Sequence, residues 1–107
     1  MNAKTLAQYE ARAQIIKALA HPARLLIVDE LSKHGERCVC ELTEMIGSDM
    51  STVSRHLALL KGAGLIVDEK RGQMVFYSLR VQCILSFFDC IESVMACNAK
   101  RHRQLMA

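Results

Sequence analysis

The chain has 107 residues, a net charge of +3 at pH 7 and a hydrophobic fraction of 51%. This length predicts one domain, residues 1–107, and a core so small favours a dimer that shares apolar surface. The N terminus has no apolar signal region and no apolar run reaches the roughly 18 residues of a membrane span, so we expect a cytoplasmic protein with no membrane partner. Its five cysteines are then expected to be reduced thiols.

Apolar residues recur at helical spacing in residues 4–19, which predicts a first helix. Pro22 suits the first turn of a second helix and Gly35 its C-cap. Gly47 closes a short third helix, and Asp49 is the expected N-cap of a fourth. The predicted elements are helices at 4–19, 22–34, 38–46 and 50–62, strands at 65–67 and 74–79, and a long last helix at 81–101. A mostly helical chain with one β-hairpin in this order predicts a winged helix-turn-helix.

The fourth predicted helix carries side chains suited to the major groove of DNA. Short hydroxyl donors and cations near its start match base edges, while an apolar stripe holds the helix against the domain. The segment 70–73 between the two strands is predicted to be a loop whose cations suit phosphate or the minor groove. Alone, the helix could be an ordinary capped surface helix and the loop a solvated turn, but together they favour DNA binding. The predicted DNA contacts are Met50, Ser51, Thr52, Ser54, Arg55, His56, Lys61, Lys70 and Arg71.

Two cysteines, Cys38 and Cys40, bracket one residue at the start of the third helix. Cys38 with Glu41 three residues later has the form of a capping box. The positive end of a helix favours thiolate, so we expect a lowered pKa for both thiols. Thiolates bind soft metals and react with oxidants. Residues two apart on a helix do not face each other, so one ion takes both sulfurs only if the first turn distorts.

These thiols lead to a first hypothesis, a metal site at Cys38 and Cys40 whose occupancy lowers DNA affinity through two conformers. The alternatives are a thiol-redox or persulfide switch on the same fold, a small thiol metallochaperone or enzyme, or two tolerated small residues. The remaining cysteines, Cys83, Cys90 and Cys97, are spaced by seven along one face of the last helix. Either they pack as small buried hydrophobes, or they form a separate arsenic or redox site at a dimer interface.

The chain resembles the ArsR/SmtB family of metal-responsive winged-helix repressors. The resemblance implies a DNA-binding repressor with no enzymatic activity. It implies a homodimer formed through the first and last helices, which sits on an inverted repeat until an inducer releases it. The matching stretches are LAHPARL (19–25), CVCEL (38–42), STVSRHL (51–57), LKGAGLI (60–66) and FYSL (76–79).

In that family a Cys-Val-Cys at this helix marks soft-metal sensors, which implies metal ligands at Cys38 and Cys40. Arsenite and antimonite sensors commonly add a third cysteine, where this chain has Thr43. The implied inducer is trivalent arsenic or antimony, with cadmium, lead or zinc as alternatives and no organic cofactor. Because trivalent arsenic prefers three thiolates and zinc or cadmium four ligands, the remaining ligand stays open.

Overall fold

A computed structural model of the chain describes residues 1–106. The mostly helical architecture with a β-hairpin confirms the predicted winged helix-turn-helix. In that range no helix is long and apolar enough to cross a membrane. The elements are α1 (Ala3–Leu19), α2 (Pro22–His34), β1 (Arg37–Cys38), α3 (Val39–Ile46), α4 (Met50–Gly62), β2 (Ile66–Arg71), β3 (Met74–Leu79) and α5 (Ile84–Met106).

Local chemistry at the helix ends explains why the first four helices lie where the sequence predicts them. The His21 ring accepts a hydrogen bond from the Ala23 backbone N–H at 3.0 Å, and Pro22 follows as the first residue of α2. The Asp49 carboxylate accepts from the Thr52 N–H at 3.0 Å and caps α4. Each cap satisfies a backbone donor that has no partner within the helix.

The core lies where α2, α3 and α4 meet the sheet. Ile27 of α2, Leu42 of α3 and Leu57 of α4 are fully buried in it, each contributing about 1.5–3 kcal/mol through removal of apolar surface from water. Gly47 joins α3 to α4 in the left-handed conformation, with φ 78°. This turn fixes α4 at the surface, with one face in the core and the other outward.

The sheet corrects two predictions. Its strand order is β1-β3-β2, and the short strand β1 was not predicted. Lys70 and Arg71 were predicted in a loop, which is wrong, because β2 stays paired with β3 as far as Arg71 opposite Met74. Gly72, with φ 63°, allows a two-residue turn, so the tip is formed by Gly72 and Gln73.

The terminal helices leave apolar surface exposed. In α5 of the single chain only Ile84 is buried. Val94 and Met95 are more than half exposed, as are Tyr9 and Ile16 of α1. An open groove of about 490 Å³ runs between α2 and α5 and is mostly apolar. Single exposed apolar residues are common on protein surfaces, but a continuous apolar surface of this kind is typical of a protein–protein interface.

Candidate DNA-binding and thiol sites

The exposed face of α4 brings together four of the predicted DNA-contacting residues. Met50, Ser51, Ser54 and Arg55 are all exposed and recur at the spacing that places residues on one side of a helix. Thr52 is half-buried beside them, where its backbone is capped. The opposite side of α4 is buried in the core. The N-terminal half of α4 therefore presents a thioether, two hydroxyls and a guanidinium to the outside.

His56 lies on a different side of α4, against the start of α2. Its half-buried ring is centred 4.4 Å from that of His21, and Arg24 NH1 lies 3.2 Å from its Nδ1. Burial lowers the pKa of His56, and the positive charges of His21, Arg24 and Arg55 act in the same direction. The ring is thus engaged inside the protein, and its contact with DNA stays a prediction.

Lysines at the far end of α4 and on the hairpin differ in their surroundings. The Lys61 ammonium lies 3.0 Å from a carboxylate oxygen of Asp68 on β2, so it ties α4 to the hairpin. Lys70 is exposed and makes no ion pair within residues 1–106. Sequence reasoning missed Gln73, which the two-residue turn places at the hairpin tip. The signal was Gly72, the only glycine between two runs of strand-forming residues.

The Arg71 guanidinium is held by two carboxylates and an aromatic ring of the same chain. Its NH2 donates to Glu36 Oε2 at 2.8 Å and to Glu69 Oε2 at 2.9 Å. Its guanidinium also lies over the Phe76 ring, 4.9 Å from the centroid. The two carboxylates raise the pKa of Arg71 above its ordinary value. Arg71 would have to exchange these partners for a phosphate before contacting DNA.

The capping box at the start of α3 is confirmed, with a thiol in place of the usual hydroxyl. The Cys38 N–H donates to Glu41 Oε1 at 3.1 Å, and the Glu41 N–H faces the Cys38 sulfur. The expectation of a lowered pKa is wrong for Cys38, whose pKa is raised. Burial is the largest cause, since the residue is only 3% exposed, and the bond from the Glu41 N–H opposes it incompletely.

The two thiols of the pair differ in access but lie near each other. Cys40, in the first turn of α3, is exposed, and its thiol contributes to the raised pKa of Cys38. Cys38 is the N-cap and has an extended backbone, φ −83° and ψ 164°. The rule that residues two apart on a helix point in different directions therefore does not apply to it. Thr43 donates its hydroxyl to the Val39 carbonyl at 2.7 Å. The pair offers two sulfur donors, the type of ligand that a thiophilic metal ion prefers.

The donor set around this pair is small. Among residues 1–106, no three His, Cys, Asp or Glu side chains are grouped as a metal site. Cys83, Cys90 and Cys97 are all exposed, so the expectation that they pack in the core is wrong within one chain. Within residues 1–106 the structure therefore places no third ligand beside Cys38 and Cys40.

The comparisons with known proteins identify the family. Residues 21–67 match the family described as bacterial regulatory protein, arsR family. The chain is 36% identical over 85 residues to the uncharacterized HTH-type transcriptional regulator MJ1325 of Methanocaldococcus jannaschii, across 77% of this chain and 96% of that protein. The chain belongs to the ArsR family. This ArsR-family protein is therefore a transcriptional regulator of the helix-turn-helix type.

Two further relatives of this ArsR-family protein are named for metal resistance. It is 47% identical over 66 residues to the arsenical resistance operon repressor of Escherichia coli, across 62% of this chain and 56% of the relative. It is 43% identical over 67 residues to a cadmium resistance regulatory protein CadC homolog of Staphylococcus aureus, across 63% and 55%. The chain thus spans just over half the length of these two relatives.

Solved structures support the same fold. The homodimeric winged helix-turn-helix domain Mb0332 of Mycobacterium bovis superposes with a TM-score of 0.77 at 27% identity, covering 95% of this chain and 94% of that one. NolR of Sinorhizobium fredii gives a TM-score of 0.79 at 26% identity, covering 88% and 93%. The superposition extends well beyond residues 21–67 and takes in most of the chain.

Proposed function

We propose that this ArsR-family protein is a homodimeric repressor in the cytoplasm that leaves its operator when a soft metal or metalloid binds Cys38 and Cys40. Trivalent arsenic or antimony is the favoured inducer, with cadmium, lead or zinc as alternatives. The observation that carries the proposal is the position of the two neighbouring thiols. Cys38 ends β1, which pairs with the wing strand β3, and Cys40 lies in the first turn of α3, the helix that precedes α4.

The relatives support a metal inducer, because one is named for arsenical and another for cadmium resistance. Thiolate sulfur is the donor that trivalent arsenic and cadmium prefer over oxygen. Bound metal would be held by Cys38 and Cys40, and binding requires both thiols to lose their protons. A third ligand would come from Cys83, Cys90 or Cys97 of either protomer or from a small thiol in solution; the remaining alternative is that the two thiols bind the ion without one.

Operator recognition rests on α4 in this proposal. Met50 contacts a thymine methyl, Ser51 and Ser54 donate to base edges or phosphates, and Arg55 reads guanine. Lys70 and Gln73 carry the wing contact, because both are exposed at or next to the tip. The remaining predicted contacts, Thr52, His56, Lys61 and Arg71, have partners within the protein and serve mainly to position this surface.

The homodimer is formed by α1 and α5. Their exposed apolar residues, including Tyr9, Ile16 and Val94, need a cover that the single chain does not provide. A structural relative that is a homodimer supports this arrangement. Two-fold symmetry then presents two α4 helices to an inverted repeat, with half-sites about one helical turn apart.

A titration of the protein–operator complex tests the proposal. Arsenite, antimonite, cadmium and zinc are added separately to labelled operator bound by wild type and by Cys38→Ser, Cys40→Ser and Cys97→Ser. We expect release of wild type by one of these ions at low concentration, and weaker release for the first two variants. Retained release by Cys38→Ser would remove that thiol from the site, and an unresponsive wild type would reject a metal inducer.

A thiol-redox or persulfide-responsive repressor is the second candidate. It is favoured by the exposure of Cys40, Cys83, Cys90 and Cys97 together with the lack of a three-ligand group within residues 1–106. Redox-sensing thiols are typically accessible and need no preformed metal geometry. Polysulfide or peroxide in the same titration separates the two candidates. A metallochaperone or enzyme gains no support from the relatives, which are named as regulators.

A further inference from the structure

The thiol site and the hairpin wing share one row of side chains across the sheet. In β3, Phe76 pairs with Cys38 of β1 on one side and with Glu69 of β2 on the other. Paired residues of antiparallel strands place their side chains on the same face. Arg71 is on the same face as Glu69 and covers the Phe76 ring at 4.9 Å. In the strand register Phe76 thus lies between Cys38 and Glu69, and Arg71 covers its ring.

An ion pair extends this row to the residue that precedes β1. Both terminal nitrogens of Arg71 donate to the two carboxylate oxygens of Glu36, NH2 at 2.8 Å. Paired parallel bonds of this kind are stronger and more directional than a single bond. Glu36 is 35 residues from Arg71 in sequence, so the pair ties the hairpin to another part of the fold. The bond from Arg71 to Glu69, by contrast, stays within β2.

We propose that Glu36 is a positioning residue for the wing, which ties it through Arg71 to the strand of Cys38 so that ligand binding at Cys38 shifts the wing. This inference rests on the proposed inducer site. Ligand binding there would affect DNA binding in two ways, through the contact of α3 with α4 and through the wing.

The burial of Cys38 gives the route its physical basis. Because Cys38 is only 3% exposed as a residue, we expect a ligand from solution to reach its thiol only when the chain around it opens. Cys38 is also paired with Phe76, and its neighbour Arg37 with Tyr77, so opening loosens β1 from β3. The Glu36 carboxylate then moves with β1, and Arg71 moves with it because the two side chains are hydrogen-bonded. Because linkage is reciprocal, a wing held on DNA should in turn keep Cys38 covered.

Two matched variants test the ion pair. Glu36→Gln removes the carboxylate that joins the wing to β1, whereas Glu69→Gln removes the carboxylate that binds the same arginine within β2. Without metal, we expect Glu36→Gln to speed alkylation of Cys38 by iodoacetamide and amide hydrogen exchange in residues 74–79, both followed by peptide mass spectrometry. Glu69→Gln should match wild type in both. Arg71→Lys, which keeps the charge but not the two-pronged geometry, should lie between them.

The same variants measure coupling to DNA. The ratio of operator Kd with and without arsenite should fall about 2- to 30-fold in Glu36→Gln and stay unchanged in Glu69→Gln. Equal alkylation and exchange in the two variants would overturn the inference, as would an unchanged ratio in Glu36→Gln. If arsenite, antimonite, cadmium and zinc all fail to release wild type, the proposed metal inducer fails. The alkylation and exchange measurements still decide whether the ion pair controls access to Cys38.

Discussion

Replacing Arg55 by alanine isolates the base-reading part of the recognition surface. Arg55 is exposed on the outward face of α4 and forms no ion pair within the described residues, so its removal should cost the fold little. A bidentate arginine–guanine contact is worth about 1–3 kcal/mol, and 1.4 kcal/mol is tenfold in affinity. We therefore expect about 5- to 150-fold weaker binding per half-site. In a homodimer the free-energy loss is doubled over the full operator.

The assay is fluorescence anisotropy with an operator selected from random duplexes, compared with a scrambled duplex of the same length. Arg55→Ala should lose affinity for the operator while its affinity for scrambled DNA changes little. Lys61→Ala is the comparison variant: it removes the ion pair with Asp68 that positions the surface, so any loss of affinity should be similar on both duplexes. An equal loss on both duplexes would make Arg55 a phosphate contact, and an unchanged operator affinity would remove it from the reading face.

Three further predictions concern the core, the interface and pH. Leu57→Ala should destabilise the fold by about 2–5 kcal/mol through a cavity beneath α4, measured by urea unfolding at fixed concentration with Leu59→Ala as exposed control. Val94→Glu should place charge in the dimer interface and yield monomers with weak operator binding in ultracentrifugation; a stable dimer would reject α5 as the interface. Burial lowers the pKa of His56 in the folded protein, so acid protonates this histidine more readily in the unfolded chain. The free energy of unfolding should therefore be unaffected by His56 above pH 6.5, its ordinary pKa, and should fall as the pH drops below it. His56→Gln should flatten that thermal-melting profile, and a parallel profile would contradict the assignment.

The elements that sequence predicted well are those fixed by neighbouring residues. Pro22, Gly47 and Asp49 act on their own helix ends, and a capping box needs only Cys38 and Glu41. Such signals lie within four residues of the structure they determine, so periodicity and capping suffice to place them. Which side of α4 is exposed and which is buried was predictable for the same reason, since it follows from helical spacing.

Local sequence patterns could not show features whose partner lies far away in the sequence. His56 is turned toward Arg24, 32 residues earlier, and Arg71 toward Glu36, 35 residues earlier, so neither partner is visible from local patterning. Strand β1 has two residues and exists only because β3 pairs with it. The prediction of a lowered pKa for Cys38 was wrong for a similar reason. The helix terminus lowers the pKa and can be read from the local sequence, whereas burial raises it and depends on the tertiary fold, and burial has the larger effect here.

The distribution of paired and free cations affects how such a regulator releases DNA. Lys61 and Arg71 form ion pairs within the protein, which leaves Arg55 and Lys70 as the cations of the predicted contact surface that form no ion pair within residues 1–106. Allosteric coupling in proteins is typically about 1–3 kcal/mol. A single bidentate base contact is worth about the same. An inducer that withdraws one contact per protomer would therefore supply the whole coupling. In the proposed route a displacement of β1, carried to the wing through Glu36 and Arg71, would withdraw the wing contact of each protomer without unfolding α4.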